Sequence, residues 1–125
     1  AFAGRLGGFD LALNSAGVAA AGSIAATPPA DWRWILDINV LGVVHACRAE
    51  ASHMAKAGRG LIVNVASAAA FMSAADMGAY NASKAAVVAL SETLRQELAA
   101  DGVQVAVAMP GFFRTRLMEH ARAPA

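Results

Sequence analysis

Tyr80 and Lys84 stand four residues apart in Tyr80-Asn81-Ala82-Ser83-Lys84, and Tyr80 is the one tyrosine among 125 residues. If the helix has begun by residue 80, that spacing puts both side chains on one face. A phenol ordinarily titrates near pH ~10, and an ammonium close by favours phenolate, so the pair suits a general acid/base working near neutrality. The bland alternative is an amphipathic first turn with a half-exposed tyrosine and a solvated lysine. Ser67 closes Asn64-Val65-Ala66-Ser67 at the end of a β-branched run, where a hydroxyl can bond a substrate oxygen or simply hold a turn. Asn39, in Asp37-Ile38-Asn39-Val40-Leu41-Gly42, is a weak helix former within a helical stretch. It marks a kink with its amide turned to solvent, or else it is buried and needs partners, water among them.

These groups need a frame. The run Phe9 to Leu13 reads as a strand closed by the turn Asn14-Ser15-Ala16-Gly17, and Leu61 to Val65 and Val103 to Val107 read as two more strands bounded by Gly60, Gly102 and Gly111. Thr27-Pro28-Pro29 opens a helical stretch, with threonine able to cap, that runs through Trp32 and Ile35 to about Ala57. Tyr80 to Ala100 predicts a second helix ending at Asp101-Gly102, with the glycine in a left-handed cap. The order strand, helix, strand, helix, strand predicts an α/β layer. Its strands are parallel, its crossovers right-handed, its sheet covered on both faces, and its ligands lie beyond the carboxyl ends of the strands.

Composition narrows the partner. The chain is 58% apolar and 15% charged, and its ten basic residues are interleaved with nine acidic ones without a run. Disorder, nucleic-acid binding and attachment to an anionic membrane are therefore not expected; a small molecule or another protein is. Cys47 is single, which excludes a disulfide framework and a CxxC pair, and it reads as a buried, inert thiol in a reducing compartment. No stretch reaches the ~18 apolar residues of a membrane span and no leader pattern opens the chain, so a cytoplasmic location is expected. His45, His53 and His120 lack acidic partners at ligand spacing, so no metal site is expected. Trp32 and Trp34 point to different helix faces, one of them at least packing. Phe71, Met72, Phe112 and Phe113 flank the proposed site as pocket lining or as core. The chain opens without methionine and stops at Ala-Pro-Ala, which suggests a segment of a longer protein.

Taken together, these patterns resemble the short-chain dehydrogenases and reductases, in the subgroup termed classical. Tyr80-Asn81-Ala82-Ser83-Lys84 matches the family's Y-x-A-S-K, and Ser67 falls thirteen residues ahead of the tyrosine, where the family has its active serine. Asn14-Ser15-Ala16-Gly17 matches the N-N-A-G turn with serine in second place, Asn39 the helical asparagine, and Pro110-Gly111-Phe112-Phe113-Arg114-Thr115 the P-G-x-x-x-T loop. The resemblance covers most of the chain. It implies that the chain is part of a single NAD(P)-binding Rossmann-type domain, the central and later part of a doubly wound fold. The implied reaction moves hydride between NAD or NADP and an alcohol or ketone, with 3-oxoacyl thioesters and secondary alcohols among the candidates.

In that implied scheme Tyr80 is the general acid/base, Ser67 holds the substrate oxygen, and Lys84 supports the phenolate and bonds the nicotinamide ribose. Asn39 fixes a water on the proton path. Asn14, Ala16 and Gly17 flank the adenosine side, while Pro110, Gly111 and Thr115 run along the nicotinamide. The family pairs its two long helices across subunits, which implies a homo-oligomer, dimer or tetramer, and the apolar stretch Ala85 to Leu90 suits such burial.

The chain departs from the pattern in two places. The T-G-x-x-x-G-x-G phosphate turn is not found, since Gly4, Gly7 and Gly8 precede a strand and read as a helix end, and with the turn goes the residue that would choose NAD or NADP. The family's later substrate-loop helices and final strand are not found either. A second reading is therefore a non-catalytic oligomerisation or interaction module, and a chain of three strands and two helices alone is expected to leave a sheet edge and one face uncovered and to be poorly soluble.

Overall fold

The computed structural model describes residues 8–111 and 117–123. Strands β1 (Leu11–Asn14), β2 (Gly60–Val65) and β3 (Val103–Ala108) lie side by side in that order, all parallel. From β1 to β2 the chain runs through helix α1 (Pro29–Leu36), a π-helical turn (Asp37–Leu41) and helix α2 (Gly42–Ala57); from β2 to β3 it runs through helix α3 (Gly78–Leu98). The strand expected from Phe9 begins at Leu11. The helix end expected over Gly4 to Gly8 falls, but for Gly8, outside the described residues.

Neighbouring parallel strands joined by crossovers of one hand carry their helices on one face. Ala12, Ile62, Val103 and Val105 point to that face and are buried with Val43, Cys47 and Met54 of α2 and Val87 and Leu98 of α3. On the opposite face Leu11 and Leu13 are 62% and 63% exposed. Among the described residues the sheet is thus covered on one face, which corrects the expectation of two covered faces and agrees with the uncovered face expected of three strands and two helices.

Local chemistry sets the boundaries. Pro29 occupies the first turn of α1, where its missing N–H costs nothing, but Thr27 does not cap the helix. Its hydroxyl donates instead to Ser23 O at 2.8 Å, and Pro28 holds the cap position. A short 3-10 turn follows α3, and Gly102 then takes the left-handed conformation at φ 72°, as expected for the cap. Its N–H bonds Ala99 O. In the π-helical turn the Gly42 N–H bonds Asp37 O, five residues back.

A second apolar cluster gathers Ala19, Ala20, Ile35, Ala79 and Tyr80, and both tryptophans pack against it. Arg122 secures the far end of the chain there: its guanidinium lies 3.9 Å from the Trp34 ring centroid and pairs with Asp31 at 3.0 Å. Among the described residues no helix is long and apolar enough to cross a membrane.

Candidate active site

The site forms where β2 ends. Past Val65 the chain turns through Ala66 and Ser67 into a 3-10 turn, and the Ser67 Oγ accepts the Ala69 N–H at 3.1 Å. That bond leaves the hydroxyl proton for another acceptor. The Ala68 N–H donates to Pro110 O at 3.0 Å and the Ala66 N–H to Ala108 O at 2.8 Å, which lays Pro110 and Gly111 alongside Ser67.

Helix α3 starts at Gly78, so Tyr80 and Lys84 occupy its first two turns on the inward face. Tyr80 is 9% exposed and Lys84 5%, so the lysine is not a solvated surface charge. Its Nζ donates to Val65 O at 3.1 Å and lies 5.8 Å from the Tyr80 ring centroid. Burial lowers the Lys84 pKa from the ordinary lysine value, because a desolvated ammonium is disfavoured. A Cβ placed on Gly17 would lie 3.4 Å from both Lys84 Nζ and Asn39 Oδ1. The glycine thereby keeps a slot open beside the ammonium.

Asn39 is 1% exposed, and its amide is not turned to solvent. Oδ1 accepts the Val18 N–H at 2.8 Å, while Nδ2 donates to Val18 O at 2.9 Å and to Ser83 Oγ at 3.0 Å. Ser83 in turn donates to Tyr80 O at 2.8 Å. One side chain therefore ties the π-helical turn, the loop after β1 and the second turn of α3, with one Oδ1 lone pair to spare.

Asn14 is the last residue of β1, not the first of a turn, and Ser15 and Ala16 after it are exposed. Its Nδ2 donates at 2.9 Å to Asn64 Oδ1, its register partner on β2, and at 2.9 Å to Glu50 Oε2 on α2. Asn64 passes the pattern on, donating at 2.9 Å to Ser91 Oγ, which donates to Val87 O at 2.6 Å. Cys47 lies against both asparagines, buried and free, with its thiol pKa raised chiefly by burial. Glu50 and Ser91 escape a reading of the sequence, and Ser83 is legible in it as part of the Tyr80 to Lys84 motif but without its buried partners. The available signal was Asn64, a polar residue at an inward strand position that must find buried partners.

Thr115, with Phe112, Phe113 and Arg114, lies outside the described residues. Phe71 and Met72 are exposed and belong to no core. His53 stacks on Phe9 at 4.7 Å, and among the described residues no three potential metal ligands converge. An open groove of about 390 Å³ runs along another flank of α3, lined by Ile24, Ser73, Asp76, Asn81 and Ala85.

A layered parallel sheet with Ser67, Tyr80, Lys84 and Gly17 beyond its carboxyl ends has the architecture of a Rossmann-like α/β fold. The family described as short chain dehydrogenase matches residues 1–125, and the chain belongs to that family. An uncharacterized oxidoreductase of Staphylococcus epidermidis is 32% identical over 115 residues, which are 92% of this chain and 50% of that protein. A short chain dehydrogenase/reductase from Burkholderia phymatum, solved in complex with NAD, superposes with TM-score 0.87 at 39% identity, covering 91% of this chain and 42% of that one. A gluconate 5-dehydrogenase from Burkholderia cenocepacia, solved with NADP and tartrate, superposes with TM-score 0.90 at 32% identity, covering 93% and 46%. The chain thus spans about half the length of the relatives it matches.

Proposed function

We propose that the protein containing this chain is an oxidoreductase that moves hydride between NAD or NADP and an alcohol or ketone, within one Rossmann-type domain and in the cytoplasm. The observation that carries the reading is Lys84: a buried ammonium at the carboxyl end of β2, in line with Tyr80 on the inward face of α3 and facing the Gly17 slot. The slot suits the close approach of a dinucleotide, which a larger side chain at Gly17 would obstruct. Bound there, the nicotinamide supplies or takes up the hydride.

The chain's own residues handle the oxygen and its proton. Tyr80 gives the proton to the carbonyl oxygen in reduction and takes it back in oxidation. Ser67, its proton uncommitted by the Ala69 bond, donates to the same oxygen and fixes it within reach of the phenol. Lys84 stabilises the phenolate and bonds the nicotinamide ribose, and the free lone pair of Asn39 Oδ1 holds a water on the way to solvent. Asn14, Ala16 and Gly17 line the adenosine side, and Pro110, Gly111 and Thr115 the nicotinamide side. The helices α2 and α3 serve as the surfaces of a homo-oligomer.

The test is Tyr80→Phe in the full-length protein. Turnover should fall by about a hundredfold to ten-thousandfold while thermal stability holds, since only a hydroxyl is removed. Near-normal turnover would sink the assignment.

A further inference from the structure

The chain of hydrogen bonds from half-buried Glu50 through Asn14 and Asn64 to buried Ser91 has a direction. Ser91 spends its proton on Val87 O, so Asn64 must present its NH2 to Ser91 and its oxygen to Asn14. The Asn14 amide must then present Nδ2 inward, where its second proton meets the Glu50 carboxylate. A carboxylate accepts only, so it forbids the flipped amide. Both Asn14 donors are thus consumed by Asn64 and Glu50, and Oδ1 is the polar atom of that side chain left outside the chain of bonds. Asn14 is also the last residue of β1, and the next three residues lead to Gly17, the slot beside Lys84.

We infer that Glu50 is a positioning residue for the dinucleotide: from α2 it fixes the Asn14 amide with its oxygen toward the nucleotide side and holds the start of the segment that runs to Gly17. The inference rests on the dinucleotide reading above. It assigns a role to a half-buried carboxylate that touches neither Tyr80 nor Lys84 in any contact described.

Glu50→Ala in the full-length protein should raise the Kd for NAD(H) or NADP(H) roughly fivefold and the dinucleotide KM with it, while kcat at saturation holds. Glu50→Gln, which can still offer an acceptor through its amide oxygen, should bind within about twofold of wild type. The Asn14 side-chain amide resonances, read by NMR without any dinucleotide, should move in Glu50→Ala and stay near their wild-type positions in Glu50→Gln. Wild-type affinity in the alanine variant, or equal losses in both variants, would overturn the inference. So would Asn14 resonances unmoved by Glu50→Ala, whatever the protein binds. A wild-type protein that binds neither dinucleotide would instead overturn the functional reading on which it rests.

Discussion

Lys84 is the residue whose chemistry the fold alters most legibly. In the folded chain burial holds its pKa below the ordinary value of 10.5, and unfolding restores it. Between the folded value and 10.5 the unfolded chain binds the extra proton, so this group makes stability rise with pH across that window; below the window the cost of burying the charge is felt in full. Cys47 acts in the opposite sense, because burial raises its thiol above 9.0 and stability is lost as pH climbs past that value. The two separate in a comparison of wild type with Lys84→Met by urea unfolding at pH about 7 and about 10. The difference should shift toward the wild type as pH rises; a pH-independent difference would mean the lysine keeps its ordinary pKa. The four-residue spacing of Tyr80 and Lys84 was plain in the sequence. Glu50 was not, since nothing along the chain reveals that a charge on one helix reaches a strand end 36 residues away.

At the scale of elements, the strands, both helices and the Gly102 cap were readable from composition and turn chemistry, whereas the break in the first helix was not. Its buried positions step by four, Ile35, Asn39, Val43 and Cys47. In a regular α-helix such a row drifts by about 40° per step, and the π-helical turn takes up the drift. Periodicity alone assigns the whole stretch to one helix. Gly58 and Gly102 provide a sharper case, both left-handed, at φ 69° and 72°. A Cβ on Gly58 would meet nothing within 4 Å, but one on Gly102 would sit 2.5 Å from Gly58 O. Gly58→Ala should therefore cost roughly 1 kcal/mol and Gly102→Ala clearly more, by urea unfolding. Equal costs would show that the backbone around residue 58 yields to the added carbon.

At the scale of the whole molecule, strand order decides what is covered. Because β1, β2 and β3 are neighbours in sequence order, α2 and α3 fall on one side and Leu11 and Leu13 stand in the open. The 125-residue chain by itself should therefore bind an apolar dye and self-associate, as judged by dye fluorescence and sedimentation. Leu11→Thr with Leu13→Thr should weaken both. A monomeric wild-type chain that leaves the dye dark would show that this face is shielded in solution. The alternation of Leu and Ala along β1 could not reveal which face would stay bare, because both residue types are apolar.

The π-helical turn also bears on how this segment can change length. A helix that carries one residue more than its ordinary bonding pattern requires has one residue to lose. With a single deletion between Asp37 and Leu41, positions 29–57 could close into an unbroken α-helix with sounder backbone bonding, and Ile35 and Val43, then seven residues apart, would share a face to within about 20°. The shortened chain would be more helical and would keep its buried row, so what a missing codon here puts at stake is the grip of Asn39 on Val18.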